Sequence, residues 1–472
     1  MFKKILILLL LNCINQLWSQ QKLVTVNGFA PDYIGKTISF NQIQDYLSYS
    51  EALIANTTVN DDSTFSVSFE IDETQRISIH AFNNNSFIYA QPGATYDLYI
   101  PEKDPYQPAR ISGNNVEVTF FDLDSSDINY KVLLFQRWCD EFMSSYFHLK
   151  GLKPEEFDQQ LSAFKSAAES YYSTDTSVYL KAYIMYTIAT FDNIQFSGQH
   201  RIEAKYDFYL DKNPIFYNND AYMEYFNSFY DNMMPRLDDE VNEKVYQAVL
   251  NSSPTLFMRA LHNEYLLSNF RIRELVMLKS LGEEYYKREL PQTNIITILD
   301  SVSKGSMFPE HALIARNILT RLTLLMQGGK APDFFIKSSS NEMHNLQTFS
   351  KKHLYLHFYD PSLTKGTLEL EPLKKLYENY KIDVEFITIY PNKEYSEDII
   401  NKNIKSLPWK TFKVDLNNSI WKSYQVNAFP YYVLLDTEGY VVGAPAKGPL
   451  PNGQYSSIDE TFFYIHKANS NR

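Results

Sequence analysis

Cysteine is nearly absent from this chain: Cys13 and Cys139 are the only two among 472 residues. One intramolecular disulfide is the most they could form, and no Cys/His cluster with metal-ligand spacing exists. Glycine is scarce too, at 15 residues, which excludes a linker-rich or low-complexity chain. Basic residues are in deficit, 44 against 56 acidic ones, for a formal charge of −12. An acidic surface argues against nucleic acid and against an anionic membrane as partners. There is no phosphate loop, dinucleotide fingerprint or His-Glu-x-x-His motif, so neither a cofactor nor a bound metal is expected. Aromatics are what the chain has in abundance: 36 Tyr and 32 Phe, enough for substantial cores.

Long apolar runs are also missing. The run Ile5 to Leu11 falls far short of the roughly 20 residues that span a bilayer. Preceded by Lys3-Lys4 and followed by Asn12 to Ser19, it reads as a secretory signal over residues 1–19, cut near Ser19-Gln20. Cys13 follows Leu-Leu-Asn, and Asn12 stands where a lipoprotein box wants a small residue, so lipidation is not expected. Cleavage would leave Cys139 as the single cysteine. It lies in a helical pattern, Phe135 to Phe142, where a lone Cys reads as a small buried apolar residue.

The hydrophobic period changes along the chain, which implies a multidomain protein. Over residues 20–104 it is mostly two: Leu23–Gly28, Thr37–Phe40, Thr64–Phe69 and Arg76–Ala81 alternate, separated by turn clusters such as Asn60–Ser63. Phe87–Ala90 and Tyr96–Ile100 flank Gln91-Pro92-Gly93-Ala94 as strand, turn, strand. About seven short strands in this span predict a small antiparallel β-sandwich. Three prolines between Pro101 and Pro108 read as a linker. Residues 110–327 carry helical spacing, as in Tyr130–Phe135 with Trp138 and Phe142, or Leu313–Ala315 with Ile318, Leu322 and Leu325. The tyrosine-rich tracts Tyr206–Tyr209 and Tyr222–Tyr230 are expected to pack helices together rather than stack a ligand. The acidic runs Asp238–Glu240 and Glu283-Glu284 are expected to be solvated helix faces.

Gly328-Gly329 closes the helical region, and strand and helix patterns then alternate over residues 328–472 in α/β fashion. Gly329 with Ala331-Pro332-Asp333-Phe334, Leu346, the strand Leu354–Tyr359 and the helix Glu371–Tyr377 follow in order. Val384–Ile389, Trp409–Val414 and Val426 through Phe429-Pro430, Leu435-Asp436 and Gly439 complete the series. This stretch resembles the TlpA/ResA-like thioredoxin-fold envelope proteins, and Gln91–Ile100 resembles part of the small β-domain that often precedes them. The resemblance implies an α/β thioredoxin-like C-terminal domain, with a cis-proline groove at Phe429-Pro430 beside the reactive loop.

The family's Cys-x-x-Cys, however, is replaced. Counting from Phe358 puts the two cysteine positions on Leu363 and Gly366; counting back from Pro372 shifts them to Thr364 and Thr367. Leu363-Thr364-Lys365-Gly366 contains no thiolate source, and thiol–disulfide exchange requires one. Ser362 and Thr364 have no base in the local sequence, since His357 sits within the strand, where a satisfied structural role is expected. No catalytic residue is therefore assigned. The expected function is a non-catalytic binding or assembly module of the periplasm or the periplasmic face of the outer membrane. Its partner would be an envelope protein or peptide, held by β-augmentation along Phe429. The alternative is a thioredoxin-superfamily oxidoreductase or peroxidase that works through Cys139 or a partner thiol.

Overall fold

The computed structural model describes residues 22–470 except 82–83, 102–113, 196–198, 288, 339, 341, 350, 417, 427 and 452–455. The expected signal segment with Cys13, and most of the Pro101–Pro108 stretch, lie outside the described residues. The chain divides into two compact units, one formed mainly by residues up to Leu319 and the other mainly by Thr320 onward.

The β-rich region forms strands β1 (Leu23–Phe29), β2 (Thr37–Ile43), β3 (Glu51–Thr58), β4 (Thr64–Glu70), β5 (Gln75–Ala81), β6 (Asn84–Ala90) and β7 (Thr95–Tyr99). The two-residue β8 (Asn114–Asn115), counted with the second unit, and β9 (Thr119–Phe120) follow. One sheet has the order β4-β1-β7-β9, and β3-β2-β5-β6 are neighbours in a second. Alternate side chains such as Val24, Val26, Ile38, Phe40, Ile77 and Ile79 are fully buried, as strands with one face on a core require. The expectation of an all-antiparallel sandwich needs correction, because β1 and β7 pair in parallel, Val26 opposite Tyr96. The chain visits the second sheet before β7 returns to β1, so the returning strand can enter in the same direction.

Helices occupy most of the rest of the first unit, including Ile128–Tyr146, Pro154–Tyr172, Val178–Gln195, Asp220–Phe229, Phe270–Lys287 and Pro309–Thr323. Strands and helices expected as separate domains belong to one unit here. Asn129 exchanges two 2.8 Å hydrogen bonds with the backbone of Tyr89, whose hydroxyl donates to Asp220 at 2.8 Å. Asn227 and Asn317 bond the β-rich part through the Tyr46 carbonyl and Asp45. The tyrosine tracts are core: Tyr206, Tyr222, Tyr225 and Tyr230 are buried, and the Tyr230 hydroxyl donates to the Leu266 carbonyl. Glu284 departs from the expected solvated face. The helix Phe270–Lys287 is buried over most of its circumference, and Glu284 is buried and paired with Lys287.

The second unit is built on one five-stranded sheet. Its strands are β12 (His353–Phe358), β13 (Val384–Pro391), β14 (Lys410–Val414), β15 (Tyr431–Leu435) and β16 (Val441–Gly443), in the order β14-β13-β12-β15-β16. The short strands β10 (Ile336–Lys337) and β11 (Met343–His344) form a separate hairpin. β12 runs parallel to β13, and β13 to β14, while β15 is antiparallel to β12 and β16 to β15. Alternation assigns the two faces of β12. Leu354, Leu356 and Phe358 join a core with Phe334, Ile336, Ile420 and Trp421. Tyr355 and Tyr359 join the opposite core with Leu370, Leu373, Ile458 and Phe462. A mixed sheet covered on both faces, in which β15 alone runs against the other four strands, is a thioredoxin-like arrangement. The Glu438-Gly439 turn before β16 uses Gly439 at φ +81, which L side chains rarely adopt.

Candidate functional site

The register of β12 and β15 places the two expected site segments together. Phe358 lies opposite Tyr431, so the loop that leaves β12 and the Phe429-Pro430 segment that enters β15 meet at one end of adjacent strands. The Phe429–Pro430 peptide is cis, as the resemblance implied, and so is Ala444–Pro445, which the sequence analysis did not anticipate. Phe429 packs edge-on against Trp421, ring centroids 5.9 Å apart. Among the described residues, the Phe429 backbone N–H and carbonyl make no hydrogen bond within the chain.

The loop itself is tied down by a side-chain knot. Asp360, buried, accepts from the Ser362 amide at 3.0 Å and from its hydroxyl at 2.7 Å on one carboxylate oxygen. Its other oxygen takes Lys393 Nζ at 2.7 Å, and Lys393 also reaches the Ser362 hydroxyl at 3.3 Å. Lys393 is the partner of Ser362 that local sequence could not supply, since it arrives from the end of β13. It is an ammonium held by a carboxylate, with no lone pair to accept a proton, and so it positions the loop.

Leu363 precedes a single helical turn, Thr364–Thr367, and a longer helix follows over Leu370–Tyr380. The break between them leaves Leu368 68% exposed, beside a Leu363 that is 43% exposed. In the first register, then, the nucleophile position presents an isobutyl group to solvent. The resolving position, Gly366, is buried against the Tyr359 ring: a Cβ placed there would lie 2.5 Å from Tyr359 Cε2. In the second register Thr364 is exposed, and the Thr367 hydroxyl lies 3.2 Å from both the Tyr359 hydroxyl and the Leu363 carbonyl. Lys365 is exposed.

Behind the loop, four rings form a column. Tyr355 stacks on Tyr432 at 5.3 Å, Tyr432 on His357 at 5.0 Å, and His357 on Tyr359 at 5.0 Å, with interplanar angles of 8°, 8° and 23°. Tyr355, His357 and Tyr359 share a face because strand side chains alternate, and Tyr432 enters from its position opposite His357. Its hydroxyl donates to Glu369. His357 is only half satisfied, which corrects the expectation. Nδ1 bonds the Thr388 hydroxyl at 3.1 Å, while Nε2 is buried without a partner among the described residues. Complete burial lowers its pKa to about 3, so the ring is neutral at physiological pH and does not act as a base for Ser362. Tyr359, Glu369, Lys393 and Tyr432 were not singled out from sequence; the alternation of Tyr355, His357 and Tyr359 was the available signal.

Cys139 belongs to the first unit. It is a free thiol 7% exposed in the helix Ile128–Tyr146, and burial, with a lesser contribution from Asp140, pushes its pKa up to about 12. Among the described residues no group of three His, Cys, Asp or Glu side chains could hold a metal ion. No described helix is long and apolar enough to cross a membrane.

Neither a protein-family model nor a curated protein matches the chain. Solved structures similar to it include a thiol:disulfide interchange protein from Bacteroides sp., at 19% identity and a TM-score of 0.26, over 30% of this chain and 90% of that one. The thioredoxin domain of a thiol-disulfide oxidoreductase from Bacteroides vulgatus gives 19% identity and 0.25, over 30% and 98%. A thioredoxin-like protein from Bacteroides caccae gives 16% identity and 0.31, over 57% and 95%.

Proposed function

We propose that the second unit is a redox-inactive thioredoxin-like module that binds an extended segment of an envelope protein or peptide. We place the protein, exported by its N-terminal signal, in the periplasm or on the periplasmic face of the outer membrane. The observation that carries this reading is the unpaired backbone edge at Phe429, next to a loop whose exposed residues include the apolar Leu363 and Leu368. An unpaired backbone edge with exposed apolar side chains beside it suits β-augmentation, in which main-chain bonds supply affinity and side-chain contacts supply specificity. The Tyr359 ring against Gly366 supports the absence of a thiol function, because the resolving position is already filled.

Of the alternatives, disulfide or peroxide chemistry through Cys139 is opposed by the burial and raised pKa of that thiol, since the thiolate is the reactive species.

The reading is tested by selecting peptides from a phage-displayed library on the mature chain and measuring their binding to Phe429→Pro, which removes the amide donor. Binding weaker by about tenfold or more, the order expected for a lost interfacial hydrogen bond, is the expected result. Unchanged affinity would sink the groove reading. Catalysed insulin reduction above the buffer rate would sink the redox-inactive one.

A further inference from the structure

The first unit contains a cavity of about 1000 Å³, between its β-rich part and its helices, at the top of the usual size range for small-molecule sites. One wall ends in a buried polar chain that packing alone does not require. The Glu274 carboxylate accepts from the Ser306 hydroxyl and faces His311 Nδ1 at 2.9 Å. His311, 0% exposed, places Nε2 2.7 Å from the Tyr217 hydroxyl, and Arg271 Nε donates to that same hydroxyl at 2.9 Å. Arg271 also pairs with Glu310 at 2.9 Å. Tyr217 and Glu310 both line the cavity.

The direction of the bonds follows from the tautomer of His311: with Nδ1–H facing Glu274, Nε2 accepts and Tyr217 donates its O–H to it. With Arg271 donating to the tyrosine oxygen, one acceptor lone pair remains for a third donor. Glu310, held by a single arginine, has acceptor capacity in reserve as well. The wall is therefore built to accept hydrogen bonds from a ligand.

The charges around the cavity select among donors. Asp45 already receives the amides of Leu47 and Ser48, the Ser48 hydroxyl and Asn317. Asp175 is paired with Lys131, and Glu73 receives Asn218. A cationic ligand would find Asp45, Asp175 and Glu73 engaged and Glu310 alone with capacity to spare, and an anionic ligand would find the lining lysine engaged. Hydroxyl and amide groups from Gln42, Gln44, Thr74 and Ser126 stand among the rings of Tyr46, Tyr179 and Phe216. Such a lining complements a ligand with many hydroxyls and apolar C–H faces.

We infer that this cavity is a binding site for a neutral oligosaccharide, with Tyr217 as a hydroxyl-reading residue oriented by His311 and Glu274. The site lies in the first unit and does not depend on the peptide-binding reading of the second.

The test is calorimetric titration of the mature chain with neutral gluco-, manno-, galacto-, xylo- and chito-oligosaccharides, alongside spermidine and tripolyphosphate. At least one saccharide is expected to bind, while spermidine and tripolyphosphate are not. Tyr217→Phe, which deletes only the hydroxyl, is expected to weaken saccharide binding about tenfold, with its melting temperature checked beside wild type. Should that variant fail to fold, Asn218→Ala on the same wall serves in its place. Absence of saccharide binding, preference for spermidine or tripolyphosphate, or equal saccharide affinity in wild type and folded variant would each overturn the inference.

Discussion

The His357 imidazole lies parallel to the Tyr432 ring, centroids 5.0 Å apart and planes within 8°, at the centre of the second unit's sheet. Burial there lowers the histidine pKa from 6.5 to about 3. The unfolded chain thus binds a proton through His357 between those values while the folded chain does not, so this contribution to stability is present at neutral pH and is lost as pH falls. Between pH 7 and pH 5, wild type is expected to lose about 2 kcal/mol relative to His357→Phe, which keeps an aromatic ring but cannot titrate. Urea unfolding of both proteins at the two pH values measures it. A pH-independent difference would mean that His357 titrates alike in both states.

Gly366 is expected to tolerate no side chain. Gly366→Ala should destabilise the second unit by about 1–3 kcal/mol, because its methyl group meets the buried Tyr359 ring. Combined with Tyr359→Leu, the penalty should fall below the sum of the two single changes. A strictly additive cycle, read from chemical denaturation, would mean that the two residues are not in conflict.

The Asp360–Ser362–Lys393 knot should govern the order of the loop. Asp360→Ala leaves the Ser362 amide and the Lys393 ammonium without their carboxylate, at an expected cost of about 1–3 kcal/mol. Faster amide hydrogen exchange over residues 362–368, without a matching increase in β13, is the expected signature. Unchanged protection would assign the loop's order to other contacts.

Cys139 should resist thiol reagents in the folded protein and react fully once the chain is unfolded, since it is buried and its thiolate disfavoured. Titration with an aromatic disulfide before and after adding urea tests this. Folded-state labelling at the unfolded rate would restore Cys139 as a candidate redox centre.

The elements legible in the sequence were those whose side chains repeat on one face. The alternation of Leu23–Gly28, Thr37–Phe40 and Thr64–Phe69 marked three strands, and the order of motifs after Gly328 anticipated the sheet of the second unit. β3 was not individually visible. It has no buried residue, and its pairing with β2 shifts register between Phe40 and Asn41, so its side chains keep no clean period. The parallel pairing of β1 with β7 was hidden because period two specifies a buried face and not a strand direction. At the site, Leu363, Gly366, Phe429 and Pro430 could be named, but not the groups that reach them from elsewhere. Lys393 meets Asp360 across 33 residues and Tyr432 meets Glu369 across 63, and no local pattern encodes such pairs.

The Tyr359 ring against Gly366 also bears on how this sequence can change with time. A cysteine restored at Leu363 alone would have no resolving partner. One restored at Gly366 alone would bring its Cβ against a buried ring. In the first register a thiol pair therefore takes coordinated replacement of Leu363, Gly366 and Tyr359, with each early step bringing a folding penalty or no chemistry. Large-ring packing at this point makes single substitutions there unproductive.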